Sequence, residues 1–374
     1  MTFVLDQLAA PVPGGIGRYA TELAKALAAH APDGCRVDGL LPSVDDEDLD
    51  RIRRDVPGVA NLLQLALPRR ELSVAWGLGM VAGVPRGILH APSLMAPLAR
   101  HERASGGGQV AVTVHDAVPW THPETLSPRG VAWHKAMARR ARKYADAVVV
   151  PTHAVAEQLA EFVDFGDRVR VIGGAVASTL RLPPDVDRRA AALGLPDAYV
   201  LAVGTLEPRK GIRDLITAMA RPEAPDVPLL IVGPDGWGDV DVPALARDAG
   251  LAAGRVRTLG YLSDSDLAVA LHRATVFATA SSAEGFGLPL LEAMHFGRPT
   301  VFTDIPAHRE VSAGSGVAIP AHSRDLPGEF AAAIDHLMSD RETAMRLGTL
   351  AQDRARAYSW ADSAQRVWQL HADL

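Results

Sequence analysis

The sequence predicts an α/β protein with two domains, each built on a mainly parallel sheet, and three observations lead there. Short β-rich runs alternate with stretches of helical periodicity through most of the chain. A stretch rich in Pro, Gly and Asp, GGAVASTLRLPPDVDRRAAALGLPD, interrupts that alternation near the middle. The length, 374 residues, exceeds what one hydrophobic core usually organises. With 48% hydrophobic and 22% charged residues, the composition is that of a soluble globular chain rather than a disordered one.

The first series opens at residues 2–6, an apolar run ending in a carboxylate. No basic region precedes it, so it reads as a strand and not as a secretory signal. GGIGRYA, 14–20, then opens a helix with apolar residues at helical spacing. Gly15, Gly17 and Ala20 match a loose GxGxxA pattern, but DQLAAPVP with its two prolines separates them from the strand. That spacing favours a flexible loop whose amides reach a ligand over a tight dinucleotide-binding turn. Further strands are expected at 36–41, 87–90, 110–115, 147–150 and 169–172. The apolar segment 74–84 is short, broken by glycine and followed by Arg86, well below the roughly 20 residues of a membrane-spanning helix.

The segment 133–146, WHKAMARRARKYAD, sets Trp133, Met137, Ala141 and Tyr144 at helical spacing and concentrates Lys135, Arg139, Arg140, Arg142 and Lys143 around them. It reads either as a core-facing stripe with a solvated basic back or as a docking face for anionic lipid at the inner face of a plasma membrane. Domains are expected at 1–178 and 198–356, joined by a linker at 179–197. The second domain has strands at 199–203, 229–232, 255–259, 276–278 and 300–302. Helices follow at 323–338, 340–358 and 360–374, and residues 357–374 are set apart as a terminal helix.

Parallel sheets bind ligands at the carboxyl ends of their strands, and the chemically suggestive residues fall there. EGFGLPLLEAM, 284–294, follows the apolar run ATVFATASS, so Glu284 lies in a loop and Glu292 on the following helix, with seven residues between them. Gly285 and Gly287 allow close backbone approach around Phe286, and the free N–H groups of a helix starting near Leu288 suit an anion such as phosphate. VGTLEPRKG, 203–211, puts Arg209 and Lys210 at a strand-to-helix turn, where they hold a diphosphate or are simply solvated. HDAVPW, 115–120, puts His115 and Asp116 at another strand end. There His115 donates to a sugar hydroxyl or phosphate oxygen, oriented by Asp116, or is satisfied within the fold. His90 and His153 occupy similar strand ends.

Other chemistry is disfavoured. A net charge of −6 argues against a general nucleic-acid binder. Cys35 is the sole cysteine, which leaves no internal disulfide or cysteine metal cluster and fits a reducing cytosol. The DxD triplets at 185–187, 239–241 and 264–266 bear on a metal-dependent alternative. The third follows Ser263 in a capping-box arrangement, and helix capping, linker or turn accounts for all three better than a metal site.

Taken in order, GGIGRYA, HDAVPW, VGTLEPRKG and EGFGLPLLEAM resemble the retaining nucleotide-sugar glycosyltransferases of family GT4. GPDGWG, 233–238, together with HDAVPW is similar to the branch containing bacterial mannosyltransferases of O-antigen and related polysaccharides. The resemblance implies the GT-B fold: two Rossmann-like α/β/α domains facing across a central cleft, with a C-terminal helix crossing back to the first. By periodicity alone that helix could equally end the second domain. The resemblance also implies that Arg209 and Lys210 hold the donor diphosphate, Glu292 the ribose, and Glu284 with the amides of 285–287 the donor sugar. Gly204, Gly233 and Leu288 join the donor site. Gly15 and Gly17 would approach the distal phosphate, and His115 the sugar. The base would lie against main chain near Tyr261 and Leu262, and Asp116, His90 and His153 would fall on the acceptor side. No cofactor or metal is implied. Two departures, APVP before the glycine loop and VIGGAV in place of a VIPNG-like strand end, bear on the acceptor side and the hinge.

The activity so implied is metal-independent, cytoplasmic transfer of a hexose, with GDP-mannose favoured, to a glycan or lipid-linked acceptor. A UDP- or dTDP-sugar donor, a nucleotide-sugar 2-epimerase of GT-B-like fold and a non-catalytic nucleotide-sugar-binding module are the alternatives.

Overall fold

The computed structural model describes residues 1–10, 14–101, 108–236, 238 and 240–374. The chain divides into two compact units, Met1–Ala175 with Ser359–Leu374, and Val176–Tyr358. No separate linker lies at 179–197: those residues belong to the second unit and carry the helix Val186–Ala192.

In the first unit β1 (Thr2–Val4), β2 (Asp38–Leu41), β3 (Leu62–Gln64), β4 (Gly87–Ala91), β5 (Gly108–Thr113), β6 (Ala147–Val150) and β7 (Val169–Val171) form one sheet in the order β3-β2-β1-β4-β5-β6-β7. Every pairing is parallel. In the second unit β8 (Val200–Val203), β9 (Leu229–Val232), β10 (Val256–Gly260), β11 (Val276–Thr279), β12 (Thr300–Asp304) and β13 (Val317–Pro320) pair in the order β10-β9-β8-β11-β12-β13, again all parallel.

Central strands such as β6 (AVVV), β9 (LLIV) and β11 (VFAT) are buried throughout, because helices cover both faces of a parallel sheet and leave no wet side to alternate with. Neighbouring side chains nonetheless part company across the sheet. Phe3 enters a core with Tyr19, Leu23 and Trp368, whereas Val4 enters the opposite one with Trp76 and Met137. The second unit repeats the plan, with Leu201 and Phe277 on one face and Val200 and Ala278 on the other. The two strands that the sequence did not signal, β3 and β13, lie at sheet edges. Both are half-wet, and β13 ends in a proline, which an edge tolerates.

The terminal helix Trp360–Asp373 belongs to the first unit. It starts at Ser359, whose hydroxyl accepts from the Asp362 amide at 3.1 Å, and it buries Ala364, Val367 and Leu370. The Trp368 indole N–H donates to Leu27 O at 3.1 Å, and Ser363 Oγ donates to Gly173 O at 2.8 Å. These contacts tie the helix to the helix Gly14–Ala29 and to the end of β7. The acidic triplets resolve as caps and ion pairs. Ser263 caps the helix Asp264–Arg273 by accepting from Asp266 N at 3.2 Å, and Asp241 caps Val242–Asp248. Asp185 pairs with Arg189 at 2.9 Å, while Asp239 lies outside the described residues.

A buried histidine pair joins the terminal helix to the sheet. His90 on β4 is 0% exposed, stacks on Phe3 at 5.7 Å, and places Nδ1 3.2 Å from His371 Nε2. His371 Nδ1 lies 3.2 Å from Gln109 Oε1. The amide oxygen can only accept, so His371 donates from Nδ1, accepts at Nε2, and leaves His90 donating from its own Nδ1. Burial, with help from His371, holds His90 well below its ordinary value. Burial and the N-terminal ammonium push His371 down to about 4, against the opposing pull of Asp146. His90, expected on the acceptor side, is therefore a core residue. Its ring has no surface to offer a ligand.

In the unfolded chain these histidines titrate near 6.5, and in the folded chain they stay neutral well below that. Between about pH 6.5 and 4 the unfolded state binds the extra protons, so stability is full above that window and falls as pH drops through it, by about 3 kcal/mol at most for His371. Denaturant unfolding across this range should show a slope that His371→Phe flattens. An unchanged slope in the variant would rule out the pair as its source.

Candidate active site

In each sheet the strand order reverses beside its first strand, between β1 and β4 and between β8 and β11. Such a reversal sends the flanking connections to opposite faces and opens a crevice at the carboxyl ends of the two strands. In the second unit the loops leaving that point are 204–211 after β8 and 280–287 after β11, the two segments singled out by their charges. They touch: the Ser282 amide donates to Arg209 O at 2.9 Å. A third turn, after β9, packs on the first so closely that a Cβ on Gly233 would overlap the Gly204 carbonyl. Gly204 and Gly233, expected to serve the donor, thus serve the joint between two turns. A side chain at Gly233 would separate them.

Four charged side chains meet at the β8/β11 ends. Lys210 Nζ lies 2.5 Å from Glu284 Oε1, and Arg209 lies 3.2 Å from Glu284 Oε2. Arg209 also donates to Ala283 O at 2.6 Å and pairs with Glu207 Oε1 at 2.6 Å. Glu284 is only 11% exposed and Lys210 14%, so water screens these pairs weakly. Burial by itself would raise the Glu284 carboxyl, but Lys210 and Arg209, with His308 behind them, hold it far below the usual carboxylate range. The two cations therefore favour the ionised carboxylate, which accepts hydrogen bonds and does not donate them. Each of its oxygens already faces a cation, and the remaining lone pairs can accept from hydroxyls.

Beneath this cluster the loop 284–287 is clamped. Phe286 is 8% exposed and meets the Tyr358 ring edge-on at 5.4 Å. Gly287 caps the helix Leu288–His295 with φ +89°, and a Cβ there would come 3.0 Å from His308 Cδ2. His308 is 1% exposed, and its Nδ1 lies 3.0 Å from Thr303 O. That carbonyl can only accept, so the proton is on Nδ1. Burial keeps the ring below its ordinary value although Glu284 pulls the other way. Pro289 lacks an N–H, so the first-turn amides belong to Leu288 and Leu290.

Glu292, in the second turn of that helix, is 3% exposed. Tyr261 and Leu262 follow β10 with opposite exposures: Tyr261 is 74% exposed, and Leu262 is packed in the core. Sequence reasoning missed Glu207 and His308. Glu207 stands two residues before Arg209 and could have been read as its partner. His308 follows β12 with no local motif, and only packing brings it under Gly287.

In the first unit Gly15 and Gly17 lie in the first turn of the helix Gly14–Ala29, Gly15 exposed and Gly17 buried. The expected flexible loop is, from Gly14 onward, a helix terminus, and residues 11–13 lie outside the described residues. His115 stands past the end of β5, edge-on to Tyr19 at 4.9 Å. Its Nε2 lies 2.6 Å from Pro92 O, which fixes the proton on Nε2, and burial lowers its basicity despite Pro92 and Asp116. That leaves Nδ1 of His115 as an acceptor, where donation was expected. Pro92, not Asp116, orients it. Asp116 Oδ1 accepts from Val118 N at 3.0 Å and starts the short helix Val118–Thr121. His153 is exposed at the first position of the helix His153–Ala160. Among the described residues no three His, Cys, Asp or Glu side chains group as metal ligands would.

Comparison with known proteins points the same way. The family model described as Glycosyltransferase Family 4 matches residues 13–178, and that described as Glycosyl transferases group 1 matches residues 185–354. The O-antigen chain mannosyltransferase B of Escherichia coli is 30% identical over 378 residues, with 92% of each chain covered. Sucrose-phosphate synthase from Thermosynechococcus elongatus has a similar structure at TM-score 0.75 and 24% identity, over 100% of this chain and 98% of that one. Anabaena HepE in complex with UDP-glucose also gives TM-score 0.75, at 18% identity, over 100% of this chain and 99% of that one. At those identities the two structures speak to the fold.

Gly287→Ala forces an L side chain into the left-handed region against His308, at a cost of about 1–3 kcal/mol. The variant should melt several degrees lower and bind nucleoside diphosphates more weakly in calorimetric titration. Wild-type melting and affinity together would show that the loop does not depend on this clamp.

Proposed function

The chain belongs to glycosyltransferase family 4, and from that premise we propose that it is a retaining, metal-independent hexosyltransferase that moves mannose from GDP-mannose to a hydroxyl of a glycan or lipid-linked acceptor. One observation carries the reading: Arg209 and Lys210 are held side by side by Glu284 at the β8/β11 switch point. Two fixed cations suit the two phosphates of a nucleotide sugar, Arg209 as a planar fork and Lys210 as a compact charge.

In this mechanism the acceptor oxygen attacks the anomeric carbon on the face from which the nucleoside diphosphate departs. The bond to the new oxygen forms as the bond to the phosphate oxygen breaks, and that phosphate oxygen takes the acceptor's proton. Arg209, Lys210 and the amides that open the helix Leu288–His295 meet the growing charge on the diphosphate, the role otherwise given to a metal ion. Glu284, ionised and flanked by cations, accepts from donor-sugar hydroxyls and keeps the two cations in register. Glu292 and the main chain near Tyr261 bind the nucleoside. His115 accepts from a sugar hydroxyl at its Nδ1. The mannosyl preference is supported by the E. coli relative, itself named as a mannosyltransferase acting on O-antigen chains.

Two measurements test this reading. In a transfer assay, Arg209→Ala should lower kcat/KM by about 10²–10³-fold, whereas Glu284→Gln keeps measurable turnover because no covalent bond forms through it. A glycosyl adduct trapped on Glu284 would overturn the mechanism, as would release of nucleotide at full rate without acceptor. In a thermal-shift panel of GDP, UDP, dTDP and ADP with their sugar conjugates, ligand at about 100 times Kd adds about 2.7 kcal/mol to the folded state. GDP and GDP-mannose should give the largest rise, and a dominant shift with UDP or dTDP would displace the mannosyl assignment.

A further inference from the structure

The first unit carries an exposed apolar ridge set against its most basic helix. On the helix Arg69–Leu78, Leu72, Ala75 and Trp76 face the core, while Val74 and Leu78, one helical turn apart, are 63% and 70% exposed. Gly79 ends the helix in the left-handed conformation, and Met80 beyond it is 55% exposed. Single exposed apolar residues are ordinary on a soluble protein, but here three that are more than half exposed fall within seven residues.

The helix Pro128–Tyr144 lies directly beside this ridge, since the Arg140 guanidinium abuts Gly79, between Leu78 and Met80. Arg140 is fixed there: it donates to Leu98 O and lies 5.3 Å from the centroid of the Tyr144 ring. Arg139, Arg142 and Lys143 on the same helix are exposed. Residues 69–86 and 128–144 together contain nine Lys and Arg against one acidic residue, Glu71, in a chain whose net charge is −6. A solvated basic face accounts for the charge but not for the ridge, whose exposure costs hydration without any contact in return.

We propose that this ridge and basic helix form a membrane-docking surface, with Leu78, Met80 and Val74 entering the acyl boundary of a bilayer and Arg139, Arg142 and Lys143 resting on anionic phospholipid headgroups. Apolar side chains flanked by cations on one face are what an anionic interface accommodates, since the former gain by burial and the latter by the surface potential. The basic helix was legible in the sequence, but its buried stripe is Met137, Ala138 and Ala141. The part that enters lipid comes from a different helix, Arg69–Leu78. The surface uses none of the residues of the charge cluster at the β8/β11 ends. Its use in reaching a lipid-linked acceptor rests on the acceptor class proposed above, but its evidence does not.

The test is sedimentation of the full chain with phosphatidylcholine vesicles, with and without phosphatidylglycerol, in the absence of any donor. Binding to the anionic vesicles should be more than about tenfold tighter and weaken with salt. Leu78→Ser combined with Met80→Ser leaves the charge unchanged and should weaken binding by at least about tenfold, with melting temperature and nucleotide affinity as in the wild type. Met345→Ser, at an exposed apolar site of the second unit, should change nothing. Equal binding to both vesicle types, or wild-type binding by the double serine variant, overturns the proposal, and so does an equal loss with Met345→Ser. Glycosyl transfer in solution with a water-soluble acceptor is read separately, so failure of the donor reading would leave the vesicle result standing.

Discussion

Taking the Glu284 carboxylate out of water is costly unless cations stand against it, and the architecture at the ends of β8 and β11 meets that requirement. Lys210 takes one oxygen and Arg209 the other, while Arg209 is itself held by Glu207 and the Ala283 carbonyl. Two loops more than seventy residues apart in the chain are thereby joined at one point. The cations are held apart from their own mutual repulsion by the same group that reads the sugar in the proposed mechanism. A donor diphosphate would then meet side chains already in place, with little reorganisation when charge develops.

That point of meeting is set by topology. A parallel sheet whose order reverses beside its first strand leaves a crevice there, and in this chain the reversal falls between β8 and β11. Close backbone packing between the β8 and β9 turns and the His308 clamp under Gly287 keep the crevice walls in register. The first unit has the same reversal between β1 and β4, but its neighbouring histidines are used differently. His90 is turned into the core against His371, whereas His115 holds the Pro92 carbonyl with its Nε2.

The terminal helix gives the first unit a stake in the end of the chain. Residues 359–374 are separated from the rest of that unit by the whole of the second, yet they supply Trp368, Val367 and Leu370 to its core and His371 to its buried pair. The core of the first unit is therefore complete only with residues 359–374 packed in it. The ridge at Val74, Leu78 and Met80 is the opposite case, apolar surface that no other described part of its unit covers.

The sequence by itself determined the fold class, eleven of the thirteen strands among the described residues, the charges at the two key loops and the family, because buried parallel strands are continuous apolar runs and because charge and glycine are properties of composition at a position. It also placed the helix cap at Ser263, since a cap is local. What it left open depended on partners distant in the chain. Whether His90 faces a ligand or the core was decided by a helix nearly three hundred residues away. The proton on His115 was decided by the Pro92 carbonyl, and the place of His308 by a glycine in another loop. The edge strands β3 and β13 were silent because half-wet strands have no continuous pattern. Periodicity reports which face a residue occupies, but only the packed structure decides what stands opposite that face.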